Sequence, residues 1–556
     1  MRHTCSSGTG VGQRARHVLW KSRRVTAGGV AFVAALAGMS AGAPAASAAT
    51  TESVIVTASG LLSPVTAVLE LGGTVVTQFQ IIDGVEALIP AAIEPLLAAL
   101  PGITVTPDVS VNVQSAPPES TAPHTPSDAF LQQTGATQLA ADGDTGQGVT
   151  VAVMDTGIDD LPDFAGRLIG GVDLAGGNDP YQDSYGHGTF VAGLIAGDGA
   201  SSNGQYSGEA PGANLVSIKV AGASGQTDLA SLILGLQWAV LNKAIYNIQV
   251  LNLSFGYHSS QSTVINPLDQ AVQVAWDSGI TVVVSAGNAG PFNGTILSPG
   301  DDPLVITVGA LDDMAQSSVA DDEMTNFSSV GPTSPDGWVK PDLVTSGRSV
   351  VSLAAPGSVI DNEYPSARVG SANFVGSGTS FSAAITSGAA ALVLADNPEL
   401  DPDQVKARLL GTTNPGPVGN PFVDGHGALN AYAAATSGPM DFSQSALGLL
   451  PVLPGWTVSL SPATSPDDTW NPNLWSGVSW SQRPSTGWSW NGYAWNGSEW
   501  TGWAWNDTAW NSWAWNDATW NGTDWTGWAW NDAGWDGSAW DGTAWSGLAW
   551  NSSAWS

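Results

Sequence analysis

The most constraining feature of the chain is a series of short, almost uninterrupted apolar runs between residues 149 and 310. The runs read VTVAVMD, LVSIKV, IQVLNLSF, ITVVVSAG and LVITVGA. A strand that is apolar at every position must be covered on both faces, as happens in a parallel sheet between helices. The stretches DLASLILGLQWAVLNKA and TVINPLDQAVQVAWDSG have helical periodicity and would supply two covering helices. The predicted fold is therefore α/β, a parallel sheet with helices on both faces.

Three chemically reactive side chains stand at the boundaries of these elements. Asp155 ends the first run in VAVMDTGID, His187 opens a helix in DSYGHGTFVAGLIAG, and Ser380 opens another in GSGTSFSAAITSGAA. A serine hydroxyl is a weak nucleophile, so it needs a base within hydrogen-bond reach and a carboxylate that orients the base. Each motif alone also fits an ordinary turn or helix cap. The three together predict a catalytic triad.

Together these motifs resemble those of the subtilase family of serine proteases. DTG surrounds Asp155, GHGT contains His187 and GTS ends at Ser380, in the family's chain order of Asp, His and Ser. The resemblance runs from about residue 128 to 435 and includes EAPGANLVSIKV, SPG and GHGALNAYAA. It implies a serine endopeptidase that acts on proteins or peptides and requires no redox or organic cofactor.

The resemblance also implies the surroundings of the triad. Asn288, in VVVSAGNAG, matches the family's oxyanion asparagine, and its side-chain N–H would act with the backbone N–H of Ser380. An extended edge that pairs with the substrate backbone would be formed by Ser254, Phe255 and Gly256. A first specificity pocket would be lined by Ser285, Ala286 and Gly287.

Two positions depart from the family pattern. Ala384 stands where a proline usually follows the serine, and Phe190 stands where a histidine often follows GHGT. Neither position transfers a proton, so activity is still expected. Because alanine keeps the backbone N–H that proline lacks, we expect a more regular helix after Ser380.

Three segments are predicted before the peptidase domain. Residues 1–48 have the basic start, the apolar run Val25–Met39 and the Ala46-Ser47-Ala48 end of a signal peptide, which predicts a secreted, extracellular protein. Residues 49–113 alternate strands and helices, which predicts a small α+β, ferredoxin-like domain; the resemblance makes it an inhibitory pro-domain. Residues 114–126 are rich in Pro, Ser and Thr and form a linker before the peptidase domain of residues 127–436.

The carboxyl-terminal segment is a repeat of tryptophans. After a linker of residues 437–469, Trp recurs every five residues from Trp470 to Trp555, except at Ser485. A step of five gives no single face on one strand or helix, which leaves a coiled solenoid or a flexible chain. Indole rings suit sugar rings, so we interpret the 470–556 tail as an attachment to cell-wall polysaccharide; a low-complexity spacer is the alternative.

Charge and cysteine content exclude several functions. The formal net charge is −33, which disfavours binding to nucleic acid. Cys5 is the only cysteine and lies in the signal segment, so disulfides and thiol catalysis are excluded from the processed protein. Structural calcium stays open, but no metal site is assigned; three acidic pairs are expected to lie in solvated turns, namely Asp301-Asp302, Asp312-Asp313 and Asp321-Asp322.

The sequence therefore predicts a secreted serine endopeptidase made as a self-processed zymogen. A secreted esterase would need a G-x-S-x-G elbow and another order of catalytic residues, and Ser380 lies in GTSFS. A second class of function stays open, in which the domain is a non-catalytic surface adhesin that serves as a scaffold for the tail.

Overall fold

The computed structural model describes residues 50–113 and 125–438, together with the backbone of six short strands between residues 486 and 551. The predicted signal peptide, most of both linkers and the rest of the tail lie outside the described residues. Before the tail, the described residues form four sheets, of four, eight, three and two strands, of which the four-stranded and the eight-stranded sheets are the largest.

Residues 51–107 form a four-stranded antiparallel sheet that carries two short helices. The elements are β1 Thr51–Ala58, α1 Pro64–Glu70, β2 Thr74–Gln78, β3 Gly84–Pro90, α2 Glu94–Ala98 and β4 Ile103–Pro107. The strands are ordered β2-β3-β1-β4, and Val56 lies opposite both Val85 and Val105. Alternate residues of β1 and β3 face the helices and form a small apolar core, centred on Val54, Val56, Val68, Val85 and Ile89.

A large α/β domain follows. It is preceded by β5 Ser110–Asn112, the last strand of residues 49–113, and it begins with α3 Phe130–Gln133 and α4 Ala136–Asp142. Its first half then contains β6 Thr150–Asp155, β7 Leu168–Asp173, α5 His187–Ala196, β8 Asn214–Lys219, β9 Gln226–Asp228, α6 Leu229–Tyr246 and β10 Ile248–Leu253. Its second half contains α7 Pro267–Asp277, β11 Thr281–Ser285, β12 Ile306–Asp312, β13 Glu323–Met324, β14 Leu343–Ser346, β15 Val350–Leu353, α8 Val359–Glu363, β16 Arg368–Val369, β17 Asn373–Gly376, α9 Thr379–Asp396, α10 Pro402–Gly411 and α11 Ala431–Thr436.

The central sheet has eight strands. Its order is β13-β12-β11-β10-β6-β8-β7, with β14 also paired to β12, and every pair except β12–β13 is parallel. All five apolar runs became strands of this sheet, and α6 and α7 formed where helical periodicity was found. The α/β prediction is confirmed. By length and composition α6 and α9 could cross a membrane, but residues of both belong to the buried core.

The described strands of the tail pair in parallel. They are β18 Thr486–Trp488, β19 Thr501–Trp503, β20 Ala509–Trp510, β21 Ala514–Asn516, β22 Asp524–Asn531 and β23 Ala544–Asn551. β18 pairs with β19, while β20, β21 and β23 pair with β22. Partners lie fifteen or twenty residues apart in the chain, so the tryptophans of the five-residue repeat stand opposite each other, as at Trp525 and Trp545, whereas the additional Trp528 stands opposite Leu548.

Candidate active site

Asp155 and His187 are in direct contact. Asp155 is the last residue of the central strand β6, and His187 is the first residue of α5; both are 1% exposed. His187 Nδ1 lies 2.9 Å from Oδ1 and 3.0 Å from Oδ2 of Asp155. An ionised carboxylate only accepts, so Nδ1 carries the hydrogen and Nε2 of the neutral ring is the basic nitrogen. Among the described residues nothing hydrogen-bonds to this buried Nε2.

Glycine lets the first turn of α5 approach the end of β6. A Cβ on Gly188 would lie 2.1 Å from the carbonyl oxygen of Gly157 and 3.1 Å from Asp155 Cβ, so no larger residue fits. The backbone N–H of Gly188 donates to Thr156 Oγ1 at 2.9 Å. The glycine after His187 is therefore needed for the contact between histidine and aspartate.

Ser380 is the second residue of α9 and is fully buried. The ring of the next residue, Phe381, has its centroid 5.5 Å from that of His187 and 4.4 Å from that of Phe190. These ring contacts place the start of α9 beside the histidine. The structure thus brings together the three elements that carry the predicted triad.

Asn288 follows β11 and is held by the start of α9. Its Oδ1 accepts hydrogen bonds from the backbone N–H and from Oγ1 of Thr379, both at 3.0 Å. Because a backbone N–H can only donate, the amide is oriented unambiguously and its nitrogen points the other way. This Nδ2 is buried and has no hydrogen-bond partner among the described residues. Thr379, the residue before Ser380, therefore orients the side chain of Asn288 so that its Nδ2 hydrogens are available to a bound group.

The predicted substrate edge already holds an extended strand of the same chain. Ser254, Phe255 and Gly256 follow β10, and Phe255 forms an antiparallel bridge with Val113. The N–H of Val113 also donates to the carbonyl of Gly225 at 3.0 Å, and β5 pairs with β9. Residues 110–113 therefore lie between two edges, in the manner of a peptide added to a sheet.

The sequence of the chain is similar to those of known serine proteases. A sequence model of the subtilase family matches residues 146–434, more than half of the chain. The chain belongs to the subtilase family. It is 46% identical over 300 residues to the serine protease AprX of Bacillus subtilis (strain 168), covering 52% of this chain and 66% of that protein, just under two thirds. It is 36% identical over 292 residues to subtilisin Savinase of Lederbergia lenta, covering 52% of this chain and 92% of that protein.

A solved subtilase shares the fold. The crystal structure of fervidolysin from Fervidobacterium pennivorans, a keratinolytic enzyme related to subtilisin, matches with a TM-score of 0.56 at 24% identity. The match covers 70% of this chain and 62% of that one. At this identity the likeness supports the architecture alone.

One residue that sequence reasoning missed supports the histidine of this subtilase. The fully buried carboxylate of Asp183 accepts from Thr156 Oγ1 at 2.8 Å, from Gly186 N at 2.7 Å and from Thr189 N at 2.8 Å. Burial raises the pKa of Asp183, and these hydrogen bonds oppose that rise. Gly186 and Thr189 flank His187, so Asp183 fixes the first turn of α5. An acid just before a predicted helix was the available signal.

Both departures from the family pattern are accommodated in the core. Phe190 packs on Phe381, as described above, in place of the usual histidine. Ala384 is fully buried inside α9, which runs without interruption from Thr379 to Asp396. The side chains of both residues fill apolar space, so neither departure disturbs the site.

The prediction that the acidic pairs lie in solvated turns was wrong for five of the six residues, because only Asp321 is exposed. Asp301, Asp302, Asp312, Asp313 and Asp322 are all buried. The local sequence contains no sign of this burial, because the hydrogen-bond partners of the carboxylates come from distant parts of the chain. Gln273 Nε2 lies 2.5 Å from Asp302 Oδ2, and Ser127 Oγ lies 2.9 Å from Asp313 Oδ2. Within residues 50–113 and 125–438, no three His, Cys, Asp or Glu side chains are grouped so that they could hold a metal ion.

Proposed function

We propose that this subtilase is an endopeptidase that hydrolyses peptide bonds through Asp155, His187 and Ser380. Ser380 Oγ attacks the carbonyl carbon as His187 Nε2 takes the hydroxyl proton, and Asp155 holds the ring through Nδ1. Asn288 Nδ2 and the backbone N–H of Ser380 donate to the oxyanion of the tetrahedral intermediate. His187 returns the proton to the leaving amine, and water then releases the acyl group by the same steps. The observation that carries the proposal is the buried Asp155–His187 contact, which makes Nε2 the base.

The decisive experiment compares the purified protein with its Ser380→Ala variant in hydrolysis of casein and peptides. We expect kcat to fall by about 10⁶-fold, the scale known for loss of the catalytic serine in subtilisin. Ser371→Ala, which removes an exposed hydroxyl nine residues earlier in the chain, is the matched control and should keep full activity. An inert parent whose mass still includes residues 49–113 would instead favour the adhesin function.

Residues 49–113 are proposed to be an inhibitory pro-domain. Their last strand occupies the substrate edge, and three further hydrogen bonds support the docking. Ala230 N donates to Asp108 Oδ1 at 3.1 Å, Thr106 Oγ1 donates to Gln261 Oε1 at 2.9 Å, and Gln80 N donates to Gln237 Oε1. Cleavage in the linker would free this domain, so mass spectrometry of the same two proteins should find it covalently attached only in Ser380→Ala.

Export and surface attachment are proposed from the two ends of the chain. Residues 1–48 would direct secretion, and the 470–556 tail would bind wall polysaccharide. Parallel pairing of strands fifteen or twenty residues apart supports the solenoid interpretation of the tail, because it repeats the same backbone positions coil after coil. The full Ser380→Ala chain should sediment with purified cell walls, whereas a chain with the tail tryptophans changed to serine should not. Equal retention of both would exclude the tail as the attachment.

A further inference from the structure

The side chain of Leu297 lies between the two segments that are predicted to line the substrate site. A Cβ on Gly256 would be 2.9 Å from Leu297 Cβ and 3.3 Å from its Cδ1. A Cβ on Gly287 would be 2.8 Å from Leu297 Cγ and 3.0 Å from its Cδ1. Leu297 therefore touches the backbone of both segments at the positions where they have no side chain.

The leucine is held there by its backbone. Leu297 N donates to the carbonyl of Ala286 at 3.1 Å, and Ser298 and Tyr257 exchange two backbone hydrogen bonds of 3.0 Å. The hydroxyl of Ser298 is buried, donates to Asp269 at 2.9 Å and accepts from Asn266 at 3.0 Å. These bonds anchor the chain on both sides of Leu297, so its side chain cannot move aside by a simple shift of the loop.

The leucine side chain is only half-buried, although its neighbours Ile296 and Ser298 are buried. Its side chain reaches the glycines of both lining segments without being fully enclosed, which places it at the boundary of the space between them. That is the space a substrate side chain would enter immediately before the cleaved bond. A leucine fixed in it leaves room for a short side chain and collides with a long one.

We propose that Leu297 closes the first specificity pocket at shallow depth, so that the enzyme prefers alanine, serine or glycine immediately before the cleaved bond. This inference rests on the proposed peptidase function and specifies its substrates. The composition of the linker that the enzyme would cut in its own chain agrees with this preference for short side chains. Residues 114–126 consist only of Gln, Ser, Ala, Pro, Glu, Thr and His, with no aromatic or branched aliphatic residue.

The test uses three peptides that are identical except for Ala, Leu or Phe before the cleaved bond. The parent should cleave the Ala peptide with at least tenfold higher kcat/KM than the Phe peptide. In Leu297→Gly the ratio of Phe to Ala should rise at least tenfold, and in Leu297→Ala it should rise by a smaller factor. Ile296→Val, which alters the buried neighbour, is the control and should leave the ratio unchanged.

The failures are distinguishable. A parent that cleaves the Phe peptide as well as the Ala peptide overturns the shallow pocket while the peptidase function stands. Active Leu297 variants with the parent's ratio also overturn it, because Leu297 would then not bound the pocket. A parent that cleaves none of the three peptides, nor casein, overturns the peptidase function and this inference with it.

Discussion

The domain of residues 50–113 and the peptidase domain of residues 125–438 bury different kinds of side chain. The buried side chains of the smaller domain are apolar except for two threonines, Thr57 and Thr106. The peptidase domain buries ionisable side chains as well, among them Asp183, Glu209, Lys340, Asp342 and Lys406. Buried charges are costly unless they are paired, and removing one partner costs more than the pair itself contributes.

This difference implies different lifetimes. A small apolar core buries a smaller share of its surface than a large one, and its side chains tolerate rearrangement, so it opens readily once it is detached. Buried charge clusters open only at a high cost, which favours a domain that keeps one arrangement. A core that opens readily suits an inhibitor that is removed after use, and a core that opens only at a high cost suits a protease that persists. The parent protein and every variant compared in the unfolding and exchange measurements carry Ser380→Ala, so that self-digestion does not interfere.

The largest effect is expected where the peptidase domain buries three charges together. Asp342 Oδ2 lies 2.6 Å from Lys340 Nζ, and its Oδ1 lies 3.1 Å from Lys406 Nζ. Burial alone would raise the pKa of Asp342, but the two lysines outweigh burial and the pKa is lowered. Burial lowers the pKa of Lys406 to about 7. Asp342→Ala should lower the free energy of unfolding in urea by about 3–5 kcal/mol. A loss below about 1 kcal/mol would break the contrast between the domains.

An effect of opposite sign is expected at Glu209, which contacts the helices of both His187 and Ser380. Its N–H donates to Leu194 O in α5 at 2.8 Å, and a Cβ on Gly388 of α9 would lie 2.6 Å from its Cβ. Burial raises the pKa of Glu209 from 4.5 to about 8, and the hydroxyl of Thr134 offsets this only in part. The stability associated with the neutral carboxyl is therefore complete below pH 4.5 and is lost as the pH rises to about 8.

Glu209→Gln should remove this pH dependence. Between pH 5 and pH 9 the parent should lose about 2–4 kcal/mol of unfolding free energy relative to the variant. Urea unfolding at a series of pH values measures the difference, with the exposed Glu399→Gln as control. Parallel pH profiles for parent and variant would mean that the ionised carboxylate is tolerated in the core.

The smallest effect is expected at the junction of the two domains. Asp108 accepts from Ala230 N in the first turn of α6 and from Ser53 Oγ at 2.9 Å. Asp108→Ala should lower hydrogen-exchange protection of residues 51–107 by about 5–30-fold, corresponding to about 1–2 kcal/mol for a lost hydrogen bond at a helix N-terminus. Exposed Asp83→Ala should have no effect. Unchanged protection in both would show that the small domain is stable without this contact.

The local sequence pattern was sufficient to predict the strands of the sheet but not to predict the buried polar groups around them. The run at residues 149–155 predicts β6 because unbroken apolar strands have one common environment. LIGGVD, which became β7, contains two glycines and has no such signal. The motifs identify Asp155 and His187, whereas the role of Asp183 depends on the approach of Thr156, which follows β6 and is distant in the chain. Leu297 resembles any core leucine in sequence, and only its contacts with two glycines from distant segments distinguish it.

The spacing of paired strands in the tail has a consequence for how its length can change. Partners lie fifteen or twenty residues apart, and both distances are multiples of the five-residue unit. Gain or loss of whole units through unequal recombination therefore leaves tryptophan aligned with tryptophan. An insertion of any other length would put the rest of the tail out of phase. The register of the paired strands therefore restricts tolerated changes in tail length to whole five-residue units.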